Sequence, residues 1–176
     1  ALQEEHFQGA DMPTIDPSLR AGKVTKWGEW VKSKPLVVNG AETRWRILGK
    51  YDLVATNEDG TIGLIDCKVS DNQRDNGQFY SPQLEAYAFS LENPAAGRAQ
   101  TVASIGLLVW KPTTAIGTSV EDYGFGVSQK YVPVERDQAN FLKVIGEFIN
   151  VLEGELPDAG PECQTCNYLV ARNALD

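Results

Sequence analysis

The stretch GKYDLVATNEDGTIGLIDCKVS, residues 49–70, places charge inside two strand-like apolar runs joined by a turn. Asp52 interrupts the first run, and Asp66 and Lys68 interrupt the second. An ionised carboxylate in a buried strand is costly unless it is paired, hydrogen-bonded or bound to a metal. The turn decides which of these side chains can meet. A three-residue loop Glu58-Asp59-Gly60, with Gly60 in the left-handed position, is a common hairpin connection. It pairs Asn57 with Thr61, and counting outward sets Asp52 directly opposite Asp66. Opposed residues share a face with Cβ atoms about 5 Å apart, and Lys68, two residues on, shares that face. A two-residue Asp59-Gly60 turn would slip the register by one and send Asp52 to the other face.

Under the three-residue reading, two carboxylates and an ammonium converge on one patch. Two such carboxylates repel unless a cation sits between them. Hard oxygen ligands suit Mg²⁺, which takes one or two carboxylates together with substrate phosphate oxygens. A neighbouring lysine can hold or activate a water, or stabilise charge on a phosphate. An isolated Asp-x-Lys triplet reads equally as a strand-edge ion pair; the hairpin-linked Asp52 favours a site. Gln83 and Tyr87, four apart in SPQLEAYAF, project from one helix face. Tyr87 alone would read as core, whereas Gln83 sits at a helix start, where phosphates are favoured.

The rest of the chain alternates helices and strands. ALQEEHFQG reads as the end of a helix, which leaves room for a missing N-terminal piece. DPSLRAGKVTKWGEWVKS reads as a second helix, with Asp16 as cap, Pro17 at its first position and an apolar stripe of Leu19, Val24, Trp27 and Val31. TRWRILGKYDLVAT and TIGLIDCKV read as the hairpin strands, and SPQLEAYAFSLEN as a helix starting at Ser81 and Pro82. VASIGLLVWK has the pattern of a strand covered on both faces. YGFGVSQKYVPVE reads as a strand or bent pair, and KPTTAIGTSVEDYGFG as a Gly-rich connection able to form a rim over a substrate. DQANFLKVIGEFINVLEG is a helix capped by Asp137, with apolar positions 141, 144, 145, 148, 151 and 152. Trp27, Trp30, Trp45 and Trp110 read as core rather than base-stacking platforms; Trp45 with Arg44 and Arg46 could contact DNA from an exposed face. This order predicts an α/β fold: a mixed central sheet flanked by helices. One domain is expected over 1–176, with 155–176 a C-terminal tail around Cys163 and Cys166.

Composition bounds the chemistry. Three cysteines, an odd number, argue against a disulfide framework and for a reducing, cytoplasmic setting. No apolar stretch approaches a membrane span. A net charge of −8 argues against a broad nucleic-acid-binding face, although bound cations can reverse the local potential where a phosphate sits.

GKYDLV, IDCK fourteen residues on from aspartate to aspartate, and QLEAY in that order resemble the PD-(D/E)XK nuclease superfamily. The nearest likeness is to its RecB-type domains, which include phage exonucleases and CRISPR adaptation nucleases. The likeness runs from about Leu2 to Leu91, with the remainder matching as a pattern of elements. It implies a restriction-endonuclease-like core and metal-dependent hydrolysis of DNA phosphodiesters, with Mg²⁺ or Mn²⁺ as cofactor. By motif, Asp52, Asp66 and the Cys67 backbone carbonyl are metal ligands, Lys68 is the catalytic lysine, and Gln83 with Tyr87 is the accessory motif. Asp66 stands where glutamate is commoner. The branch often adds a histidine or glutamate from its first helix, for which Glu4, Glu5 and His6 are the candidates, Glu5 or His6 first. Many relatives also hold an iron–sulfur cluster with four thiolates. Cys163 and Cys166 supply only two, so no complete intramolecular cluster is expected. A half site, an intermolecular zinc or plain thiols stay open, with plain thiols leading. The reading is therefore a metal-dependent deoxyribonuclease acting on ends or single strands, with room for a protein partner or homo-oligomer. The alternative is an inactive scaffold of the same fold that binds DNA or protein.

Overall fold

The computed structural model describes residues 5–70, 77–117, 119, 121–155, 158 and 160–174. Its centre is a five-stranded sheet in the order β1-β6-β7-β8-β9, formed by Gly22–Trp27, Leu53–Asn57, Ile62–Val69, Val102–Ile116 and Gly124–Val134. β7 and β8 run parallel and the other neighbours antiparallel, so the sheet is mixed. Helix α1 covers Met12–Ile15, α2 Gly77–Glu92, α3 Gln138–Glu153 and α4 Gln164–Asn173. Short pairs β2 (Trp30–Lys32) with β5 (Leu48–Lys50) and β3 (Val37–Val38) with β4 (Ala41–Glu42) lie outside the main sheet. This is the α/β architecture expected: a mixed central sheet flanked by helices.

The β6–β7 hairpin has the three-residue loop. The Asn57 amide donates to the Thr61 carbonyl at 2.8 Å, Gly60 adopts φ 77°, and Leu53 pairs with Ile65. The paired register ends there, and Asp52 stands at the bend just before it. Alternation then divides β7 between two cores. Ile62 and Leu64 face α2 with Val54, Leu84, Ala88, Leu91 and Leu107. Ile65 turns the other way with Leu53, Phe7, Met12, Ile15, Leu19 and Tyr131. The N-terminal segment thus covers one face and α2 the other, which explains why β7 reads as nearly unbroken apolar sequence.

The helix expected from Asp16 onward is not formed. Asp16 instead holds a turn through Ser18, and Gly22–Trp27 is the edge strand β1, with Val24 buried between exposed Lys23 and Thr25. β-Branched Val24 and Thr25 suit a strand, and pairing with β6 outweighs the helical spacing of the apolar residues. The first hairpin strand is also broken: β5 pairs with β2, the chain bends at Tyr51 and Asp52, and β6 begins at Leu53. Helix α2 includes Gly77 and runs through Pro82, upstream of the expected start at Ser81; burial of Leu84, Ala88 and Leu91 offsets the one backbone bond a proline forfeits. Much of the expected Gly-rich connection is strand, since Lys111–Pro112 and Thr114–Ile116 pair with Gly124–Ser128. The α3 prediction holds with Asp137 as cap, but Phe148, Val151 and Leu152 are exposed. Trp30 is 69% exposed rather than core. In the tail, Cys163 caps helix α4.

Candidate active site

The site lies where β6 and β7 part. In this antiparallel pair the odd-numbered β7 residues direct their backbone N–H and C=O groups toward β6. β6 ends at Leu53, and the Asp52 carboxylate takes the place of the missing strand: its Oδ2 accepts the Cys67 amide at 2.6 Å. The Cys67 carbonyl points to that same edge. Asp66 and Lys68 project toward α2, in line with Leu64 and Ile62.

Helix α2 supplies the lid of the patch. Gln83 Nε2 donates to Asp66 Oδ1 at 3.1 Å and to the Tyr87 hydroxyl at 3.0 Å. Gln83 Oε1 accepts from Lys68 Nζ at 3.5 Å. The Tyr87 ring lies over Gly49, where a Cβ would sit 2.5 Å from Tyr87 Cε1. Glycine at position 49 is what lets the helix approach, a role that position in the sequence does not announce. Tyr80, also unsuspected from sequence, lies with its ring 4.6 Å from Lys68 Nζ.

The charges are unequally answered. The Asp66 side chain is only 4% exposed, and Lys68 Nζ is 2.6 Å from its Oδ2. That close ion pair answers the buried Oδ2 by charge. Burial pushes the Asp66 carboxyl above its ordinary range, against the pull of Lys68. Burial also acts to lower the Lys68 ammonium, but Asp66 at contact and the charge of Asp52 beyond it hold it above a free lysine. Two carboxylates and one ammonium thus meet at this end of the β6–β7 pair. Hard carboxylate oxygens of this kind fit a small divalent cation.

Glu5 and His6 are both exposed, and the His6 ring sits edge-on to Phe7 and Trp110. Glu4 lies outside the described residues. Among the described residues no three His, Cys, Asp or Glu side chains gather as a metal site. None of the three cysteines forms a disulfide. Cys163 Sγ accepts the Cys166 amide at 3.4 Å, which draws the Cys163 thiol down while Cys163 pushes that of Cys166 up. Arg44 and Trp45 both bond Glu153, and Arg46 bonds the Ser33 carbonyl, so these groups are engaged within the chain. No helix among the described residues is long and apolar enough to cross a membrane.

A family model described as the PD-(D/E)XK nuclease superfamily matches residues 8–171. Among solved structures the chain is similar to one titled "Crystal structure of SSO0001", at 16% identity and a TM-score of 0.46. That likeness covers 82% of this chain and 58% of the other, so the chain spans less than two thirds of its length. No curated protein matches the chain.

Proposed function

Because the chain belongs to the PD-(D/E)XK nuclease superfamily, we propose that it hydrolyses DNA phosphodiester bonds with a divalent cation held by Asp52, Asp66 and the Cys67 carbonyl. The observation that carries this reading is the buried Asp66–Lys68 ion pair next to the Asp52 carboxylate that accepts the Cys67 amide. Bound Mg²⁺ or Mn²⁺ would supply Lewis-acid activation of water and neutralisation of phosphate charge.

The chain's own residues do the remainder. Asp52 and Asp66 hold the site negative enough to retain a cation. Lys68, kept protonated by Asp66, orients the attacking water or steadies charge on the phosphate. Gln83 fixes the Asp66 carboxylate through one oxygen and leaves the other toward the site, while Tyr87 holds Gln83. The Gln83–Tyr87 pair supports the RecB-type branch and, with it, action on strand ends or single strands. His6, Glu5, Cys163 and Cys166 are not needed for this reading; a protein partner or second copy remains compatible with it.

End-labelled single- and double-stranded DNA incubated with Mg²⁺ or Mn²⁺ tests it. Cleavage that stops on chelation and in Lys68→Ala supports the enzyme. No cleavage with any metal or substrate would leave a DNA- or protein-binding scaffold.

A further inference from the structure

Phe79 is 78% exposed, one helical turn before Gln83. Spacings of four put Phe79, Gln83 and Tyr87 on one stripe of α2. The Phe79 ring meets Tyr80 edge-on, with centroids 5.1 Å apart. Tyr80 in turn presents its ring to the Lys68 ammonium. An uncovered aromatic is thus coupled, through one neighbour, to the lysine of the site. Exposed apolar side chains elsewhere, such as Val151 and Leu152 on α3, have no such connection and need no explanation.

Charge makes the position more telling. With 24 acidic and 16 basic residues, the chain has little capacity to gain affinity by neutralising phosphates. Stacking of a base on an aromatic ring is independent of that balance and tolerant of sequence. It does need a base whose face is uncovered, which a continuous duplex does not offer.

We propose that Phe79 is the platform on which the base beside the scissile phosphate stacks, so that the site selects an unpaired strand. This rests on the nuclease reading of the same site and assigns it a residue that sets specificity. The test uses labelled single-stranded and duplex oligonucleotides, with binding read by fluorescence anisotropy and cleavage read in Mg²⁺. Phe79→Ala and Phe79→Leu should each weaken single-strand binding about tenfold, as loss of one stacked base does, whereas Phe79→Trp should retain it. Duplex binding should change little, and in cleavage the loss should fall on KM more than on kcat. A single abasic nucleotide next to the cut should cost the wild type the same factor, and Phe79→Ala should add nothing to it. Full activity of Phe79→Leu, or additive losses from variant and abasic site, would overturn the platform. Wild-type cleavage indifferent to Phe79 would sink the platform and leave the nuclease. Phe79-dependent binding without cleavage would do the reverse, and absence of any single-strand binding by the wild type would overturn the platform as well.

Discussion

Helix α2 carries two charged clusters that answer burial in opposite ways. On one side Gln83 and Tyr87 face Asp66 and Lys68; on the other, Glu85 and Glu92 face Arg136. Glu85 is fully buried, yet its oxygens accept from Arg136 Nε at 3.0 and 3.1 Å and from the Asp137 amide at 2.7 Å. Arg136 also forks onto Glu92 and reaches the Val102 carbonyl, while Gln138 completes Glu92. That network spends its charge on joining α2 to the β9–α3 connection. The Asp52–Asp66–Lys68 patch rests instead on one close ion pair, Asp66 with Lys68, braced by Gln83. A densely bonded ionic cluster locks elements together, whereas a pair whose carboxylate is perturbed by burial marks a candidate site.

The largest effect that could break this contrast is on cleavage. Asp66→Asn keeps the shape but removes a ligand charge, so cleavage should fall by about 10²-fold or more, the scale of losing one charge-stabilising group. Its melting temperature should hold or rise, because repulsion from Asp52 is relieved. A folded Asp66→Asn protein with full activity would make the patch merely structural. Arg136→Met should show the mirror image: stability lost by about 3 kcal/mol, since two carboxylates are left without their partner, discounted for the partial exposure of Arg136 and Glu92. Where this variant remains folded, its cation dependence should match the wild type.

Cation binding sharpens the contrast further. Mn²⁺ at about 100 times its dissociation constant should stabilise the wild type by about 2.7 kcal/mol. The same addition should leave Asp66→Asn almost unmoved; equal stabilisation of both would place the ion elsewhere. Lys68→Arg should recover only part of the cleavage lost in Lys68→Ala, because a planar guanidinium does not reproduce a compact ammonium.

The smallest effect calibrates both clusters against a carboxylate that belongs to neither. Asp16 is held below its ordinary value by the Ser18 hydroxyl first, then by the amides of Ser18 and Tyr131. Its folded value lies below its unfolded one near 3.9, so its contribution is complete above that pH and fades as pH falls through the folded value. Asp16→Asn should therefore lower stability at neutral pH and converge on the wild type in acid; a difference that grows toward low pH would contradict this.

The sequence by itself determined the features whose physics is local. Gly60 allows the left-handed turn, and the turn sets the register that pairs Leu53 with Ile65. Spacing of four likewise aligned Gln83 with Tyr87 before either had a partner. Tertiary structure decided what depends on distant chain. Val24 and Thr25 became strand because β6 offered an edge, against the helical spacing of Leu19, Val24, Trp27 and Val31. Glu85 is buried only because Arg136, 51 residues on, closes over it. Tyr87 reads as core until Gly49 admits its ring beside the site. Periodicity and turn chemistry act within a few residues, whereas burial and ion pairing are settled only when the sheet brings remote segments together.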